Sequence, residues 1–569
     1  MKRGTFVRTI GALGACAVVA GVVVGLTSAA PRDPVPLDKW SGFHDFRTFQ
    51  EDLPSGTSGP GKGTIPGTPC TVETAAIPAE FAGNYLLDCD GIGPHNETTI
   101  AVNPTDASNV IAGSHSYQLA VTGATLVARI YAAAYVTTDG GAHWTNVHPP
   151  VGQYQFTGDP VLAFDSGGNA YYFNIADHEG PGGPFTGPSV IAQRSNDGGL
   201  SWNSPVTVAK GHGAVAFGPL ANVVFNDKEW GTADANASSP FKDNVYVTWT
   251  RFRFRNGAYV ASPIYFSRST NGGKTWSDGK EISGASATLC SAQIDSSTGA
   301  TRCDENQFSQ PVVASNGTIY VPFLNEQKVN DGEFRDQVLV VQSTDGGVTW
   351  NNPVAATPLI NDGVSDYPLN GDGRQRLSGC QYRVNSAGAL AVAPASAPNA
   401  GQLYYVYTDN LNPGAAGPTQ TDIRVVTSTN GGATWSAPVS VYANAANQVY
   451  PWATVGSSGL LRVGYIDHDR AAVSGQSCVY GYSLSTATTT AANAFTRITL
   501  ETNPSIASDS RFFRTSSTDF NTRFIGDYTH IAMALDGAVW SSWTDMRKTI
   551  TFLGSSGKGE DAVAEKTGP

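Results

Sequence analysis

The chain has 569 residues, of which 40% are hydrophobic and only 14% charged, with a net charge of −12. That is enough apolar material for a large core and excludes wholesale disorder; the 63 glycines have no three-residue period, which excludes collagen. An acidic chain also lacks the global basic field that a nucleic-acid backbone would need, so no nucleic-acid partner is expected.

The N-terminus reads as an export signal. Lys2, Arg3 and Arg8 precede an uncharged, apolar run from Ile10 to Leu26, and Thr27-Ser28-Ala29-Ala30 supplies the small residues of a cleavage site. Residues 1–29 are therefore expected to be a signal peptide and the mature protein to be secreted. Membrane contact is expected only through this run, if it stays uncleaved, because it approaches the roughly 20 residues needed to span a bilayer. Residues 30–80 are rich in Pro, Gly, Ser and Thr without sustained periodicity and read as a linker. Apart from Cys16 there are six cysteines, an even number that suits disulfides in an exported chain. Fifteen pairings are open. Short loops favour Cys70–Cys89 and Cys290–Cys303, which leaves Cys380–Cys478.

From residue 137 onward one turn recurs. Thr137-Thr138-Asp139-Gly140-Gly141-Ala142-His143-Trp144 returns at Ser195–Trp202, Ser269–Trp276, Ser343–Trp350 and Ser428–Trp435, so five of the 11 Trp close the same motif. Its Asp or Asn can accept N–H groups of its own turn, its paired glycines take φ > 0, and its Trp can fold beneath the turn. A second repeat lies between these turns: a strand of small and β-branched residues, a Gly/Asn turn, then an aromatic strand ending in polar residues. It starts near Glu97, Asp159, Glu229, Gln310, Val384, Pro451 and Asp527. Seven such pairs predict seven four-stranded blades over residues 81–556, with 557–569 as a flexible tail. Six blades remain the alternative if the first pair only closes the ring. A strand near Asn84 to Cys89 is placed to do that closing, and the last blade's outer strand is expected near Thr549 to Gly554.

The turn is an Asp box, and over roughly residues 90–555 the chain resembles the Asp-box (BNR-repeat) β-propellers, of which the sialidases are best known. The resemblance implies an all-β propeller with its Asp boxes on one face and any active site on the opposite face, around the central channel. First-strand starts bring Glu97, Asp159, Glu229, Asp527 and Tyr528 to that level; second-strand ends bring His115, Arg251 and Arg547, and Arg383 joins from the fifth blade. Neighbouring carboxyl groups raise one another's pKa, which lets an acid and a base coexist, and arginines can hold a substrate carboxylate. Glu97, Asp159, Glu229 and Asp527 are thus the catalytic candidates, and Arg251, Arg383, Arg547 and Tyr528 the substrate-binding ones.

The resemblance implies a sialidase-like exo-glycosidase acting on extracellular glycan. The sequence departs from that family: the early inner strand, Asn96-Glu97-Thr98-Thr99-Ile100, lacks the Arg-Ile-Pro motif that carries its first arginine. Another glycan-active hydrolase or lyase, using a carboxylate pair, and a non-catalytic propeller binding glycan or protein stand as alternatives. No metal or cofactor is required by any motif; Asp227/Asp234 or Asp467/Asp469 would suit a structural calcium ion.

Overall fold

The structure is a computed structural model. It describes residues 70–568 except 123–124, 179–186, 213–222, 256–257, 293–300, 331–332, 515–519 and 553. The expected signal peptide and the linker up to residue 69 lie outside the described residues.

Seven antiparallel sheets form a seven-bladed propeller. Blade 1 runs outward from His95–Val102 through Val110–Thr122, Thr125–Thr137 and His143–Val147; blade 2 through Phe156–Phe164, Ala170–Asp177, Ser189–Ser195 and Val206–Ala209. Blade 3 uses Val224–Ala233, Val245–Arg255, Ile264–Ser269 and Lys280–Glu281. Blade 4 has a broken inner strand, Asn306–Gln307 and Val312–Val313, followed by Ile319–Asn330, Glu333–Ser343 and Val354–Ala355. Blade 5 is Ala389–Val392, Leu403–Asn410, Thr421–Ser428 and Val439–Ser440, and blade 6 is Gln448–Val455, Leu461–Asp467, Val479–Ala487 and Phe495–Thr499.

Blade 7 corrects two boundaries. Its inner strands are His530–Met533 and Val539–Asp545, but its third strand is Asp561–Thr567, in the segment expected to be a tail. The strand expected near residue 549 is one arm of a separate hairpin, Thr549–Phe552 with Ser555–Lys558. The run Ala562-Val563-Ala564, set between Asp561 and Glu565, is too short to stand out in the sequence, yet all three side chains are fully buried. Tyr85–Leu86 then pairs with this C-terminal strand as the outermost strand of the blade, closing the ring and removing a free sheet edge. The expected linker also ends early: Thr71–Glu73 adds a fifth strand to blade 1 against His143–Trp144-Thr145.

All three disulfides form as favoured, Cys70–Cys89, Cys290–Cys303 and Cys380–Cys478. Each repeated turn joins the third and fourth strand of its blade, so all five lie on one face. Their hydrogen bonds are the same throughout. The Thr137, Ser195, Ser269, Ser343 and Ser428 hydroxyls accept the N–H of the glycine four residues on, at 2.8–3.0 Å. The Asp or Asn side chain accepts the N–H of the residue four after it, at 2.9–3.1 Å. Trp144 and Trp202 are buried under their turns, whereas Trp276, Trp350 and Trp435 are only half-buried.

Candidate functional site in the central channel

The inner strands share one irregularity. In blades 1, 2, 3 and 6 the pairing with the second strand slips between Asn96 and Thr99, Gly158 and Val161, Asp227 and Trp230, and Val449 and Trp452. Each slip is a β-bulge, and its first extra residue takes a left-handed backbone: Glu97 (φ 53°), Asp159 (52°), Lys228 (50°) and Tyr450 (56°). Phe308 of blade 4 (58°) and Gly526 of blade 7 (97°) hold the same conformation at the matching point. Non-glycine residues rarely adopt it, and bulges of this kind re-aim side chains. Gly526 must lack a side chain, because a Cβ there would lie 2.6 Å from the Glu97 backbone nitrogen.

Six blades thus present one residue each at the same level. Blades 1 to 3 contribute charges, Glu97, Asp159 and Lys228; blades 4 and 6 contribute rings, Phe308 and Tyr450. The channel mouth is divided into a charged half and an aromatic half.

In the charged half, the Glu97, Asp159 and Glu229 side chains are buried, and neither carboxylate oxygen of any of them has a hydrogen-bond partner; the Lys228 Nζ has none either. Burial pushes the Glu97 carboxyl well above its usual range, and the Asp159 charge adds to this while Lys228 opposes it. Burial, then Asp159, does the same to Glu229. Asp527 goes the other way. Burial alone would raise it, but the Arg383 guanidinium outweighs that and holds it ionised, with help from Lys228 and Arg374. The Arg383–Asp527 pair is bidentate, Nε to Oδ1 at 2.8 Å and Nη2 to Oδ2 at 2.5 Å, and buried. The Tyr450 hydroxyl donates to the Arg383 carbonyl, and the guanidinium sits 4.6 Å from the centre of the Phe524 ring.

His115, midway along the second strand of blade 1, reaches between the first two carboxyl groups. Its Nε2 is 3.2 Å from Asp159 Oδ1 and 3.5 Å from Glu97 Oε2, and it accepts the Asp159 backbone N–H at 2.6 Å. That approach depends on Gly158, where a Cβ would come within 2.6 Å of Nε2.

In the aromatic half, a small cavity of about 20 Å³ is lined by Lys228, Trp230, Phe308, Tyr450, Trp452, Asp527 and Tyr528 among others. The Trp230 and Trp452 rings meet at 4.3 Å and Tyr528 and His530 pack edge-on against Trp230, both at 5.4 Å, so residues of blades 3, 6 and 7 form one wall of the cavity. Tyr528 crosses the mouth: its hydroxyl donates to the Pro160 carbonyl at 3.2 Å and the Lys228 Nζ lies 3.3 Å from its ring centroid. An apolar, ring-lined hollow with a few fixed polar groups has the general make-up of a small-molecule site, although its free volume lies well below that of the usual ligand pocket.

The sequence-derived candidates fall into two groups. Glu97, Asp159, Glu229, Asp527, Arg383 and Tyr528 come together here. Arg251 and Arg547 do not. Arg251 is half-buried 5.1 Å from the Tyr265 ring centre, within blade 3. Arg547 is committed to ring closure: its Nε donates to both Asp545 oxygens at 3.0 and 2.9 Å, its Nη2 to Asn84 Oδ1 at 2.8 Å, and it stacks over Phe81. The calcium candidates dissolve as well. Asp227 and Asp234 stand seven positions apart along one extended strand, about 20 Å at the rise of a strand. Asp467 is neutralised by Arg497 at 2.5 Å and Arg470 at 3.4 Å, and Asp469 by Arg497 at 3.2 Å. Lys228 and the rings of Trp230, Phe308, Tyr450 and Trp452 escaped the list of site candidates. Lys228 carried no signal in the sequence, because only the bulge sets it, and not Glu229, level with Glu97 and Asp159.

No protein-family model matches the chain, and no curated protein does. Solved structures similar to it include a protein of unknown function from Dyadobacter fermentans DSM 18053, at 12% identity over 73% of this chain and 97% of that one (TM-score 0.40). Another is the NanB sialidase from Streptococcus pneumoniae, at 9% identity over 85% of this chain and 94% of that one (TM-score 0.41). A third is a polysaccharide lyase of family PL25, an ulvan lyase, at 12% identity over 66% of this chain and 76% of that one (TM-score 0.39).

Proposed function

We propose that the protein is a secreted, glycan-active propeller enzyme, a glycoside hydrolase of exo type working at the channel mouth. The observation that carries this reading is the meeting of Glu97, Asp159 and Glu229, three buried carboxyl groups without hydrogen-bond partners, in the channel beside Lys228, which itself lines the ring-lined hollow. A folded protein leaves such groups unpaired at considerable cost, so they are retained for something that enters. Glycosidic cleavage asks for this equipment: one carboxyl group delivers a proton to the leaving oxygen while another, ionised, activates water or attacks the sugar. Trp230, Phe308, Trp452 and Tyr528 offer ring faces on which a sugar could stack. Asp527, clamped by Arg383, keeps the wall between the two halves rigid and ionised.

Three disulfides fit the exported protein that the N-terminal sequence announces. A sialidase-type substrate would add a carboxylate; of the three arginines expected for it, only Arg383 lies at the cluster, and it already holds Asp527. Neutral glycosides are therefore favoured over sialosides. The test is a panel of fluorogenic sialosides and aryl glycosides on the mature chain, with Glu97→Gln and Glu229→Gln beside the wild type. Each variant should lose activity by at least about 100-fold while keeping the circular dichroism of the parent. Full activity in both would move the chemistry out of the channel, and glycan binding without turnover by the wild type would favour a non-catalytic propeller.

A further inference from the structure

Among the described residues, three groupings of donor atoms are close enough to hold a metal ion: Cys380/His468/Cys478, Asp88/Asp90/His95 and Glu97/His115/Asp159. The first is closed by its disulfide. The second is already an internally bonded ion cluster, with His95 Nε2 on Asp90 Oδ1 at 2.7 Å and the other Asp90 oxygen taken by Ser116 and Gln118. The third differs in kind, because all four of its carboxylate oxygens lack a hydrogen bond although both side chains are buried.

We propose that Glu97, His115 and Asp159 bind a first-row divalent cation, with zinc as the best fit, between blades 1 and 2 at the channel mouth. The donor spacing fits. Bonds of about 2.0–2.1 Å in tetrahedral array put neighbouring ligand atoms about 3.3 Å apart, and His115 Nε2 stands 3.2 Å from Asp159 Oδ1 and 3.5 Å from Glu97 Oε2. The tautomer fits. Nε2 accepts the Asp159 N–H, so its lone pair is free of a proton and the ring carries its hydrogen on Nδ1, which faces the Tyr117 hydroxyl at 3.5 Å. A metal-bound imidazole wants that outer partner, and the ion would take over the lone pair from the N–H. The charge fits too: two carboxylates neutralise a divalent ion, whereas in its absence they face each other unpaired. One imidazole with two carboxylates selects a borderline ion over calcium, which prefers an all-oxygen shell. Three protein ligands leave a position open for water or a sugar hydroxyl, as catalytic rather than structural zinc sites do.

The binding claim stands apart from the glycosidase reading; only the use of the open position rests on it. The experiment is therefore done without substrate. Untagged mature protein, stripped with chelator, is titrated calorimetrically with zinc chloride, and cobalt(II) is added separately for its visible spectrum. The wild type should bind one equivalent of zinc and give cobalt d–d bands of a low-coordinate N/O site. Asp159→Asn and Glu97→Gln, which keep shape and remove charge, should each weaken zinc at least tenfold, and His115→Gln should also abolish the cobalt bands. Unchanged melting of the metal-free variants separates loss of the site from loss of the fold. Calcium should not compete at equal concentration. Failure of the wild type to take up zinc, or equal uptake by correctly folded variants, overturns the proposal. Zinc uptake by a wild type that cleaves no glycoside would retain the site and reject the proposed function.

Discussion

His95 shows how one side chain can stabilise the ring closure. It is buried between Asp88, 3.8 Å away, and Asp90, 2.7 Å away, where the chain enters blade 1. Burial alone would lower its pKa, but Asp88 and Asp90 reverse this and lift it from 6.5 to about 10. A pKa raised on folding stabilises the native state fully below the unfolded value, and the benefit fades as pH climbs through the folded value. The His95 contribution should therefore be complete below pH 6.5 and gone above about pH 10. Asp561, lifted to about 7 by burial and by Asp88, acts in the same direction at lower pH, since its ionisation opposes folding. His95→Gln leaves two buried carboxylates facing each other, and breaking a buried pair costs about 3–5 kcal/mol. Urea titrations of wild type and variant should show that gap near pH 6 and a much smaller one near pH 10. An equal gap at both would mean that the imidazole is neutral in the native state.

At the scale of the element, the repeated turn and the inner bulge illustrate what a sequence reveals and what it conceals. The turn is encoded within eight consecutive residues, and the bonds from its Ser/Thr and Asp/Asn side chains that shape it are local, so Thr137 to Trp144 could be read directly and its four recurrences placed the blades. The Trp burial could not be read, because it depends on the next blade. Trp144 packs 5.7 Å from Trp540 and 6.1 Å from Tyr85 across the blade 7 seam, whereas Trp276 meets Phe173 at 6.1 Å and stays half-buried. Trp144→Ala should thus cost about 3–5 kcal/mol, and Trp276→Ala distinctly less, by denaturant melts of the two. Equal losses would show that the turn itself, not the neighbouring blade, sets the value of the ring. The channel residues lie between these cases. Their type and their strand were legible: Glu97, Asp159 and Glu229 start inner strands in a chain poor in charge. Their mutual register was not, since a bulge shifts a side chain by one position and leaves no residue signature: Glu-Thr, Asp-Pro, Lys-Glu, Phe-Ser, Tyr-Pro and Gly-Asp all occupy it. That shift is why Lys228, and not Glu229, is the equivalent of Glu97 and Asp159.

For the whole molecule, closure of the ring decides whether the site exists, because Glu97 of blade 1 sits against Gly526 of blade 7 across the seam. The two ends of the described chain are joined there. Tyr85–Leu86 pairs with Val563 and Ala564, Asp561–Thr567 pairs along its full length with Val539–Asp545, and the His95 N–H donates to the Glu560 carbonyl at 2.8 Å. Arg547 braces the same seam from Asp545 to Asn84, and Cys70–Cys89 pins the N-terminal segment beside it. A chain that stops after Glu560 removes what composition alone would call a dispensable tail. It leaves Tyr85–Leu86 without its partner, exposes an inner edge of blade 7 and uncovers the faces that Ala562, Val563 and Ala564 bury. The truncated protein should therefore lose its cooperative thermal transition and elute as aggregate on size exclusion, even with all six disulfide cysteines present. Melting and elution like those of the full chain would mean that the ring holds closed without its third strand in blade 7, and that the seam contributes little to positioning Glu97.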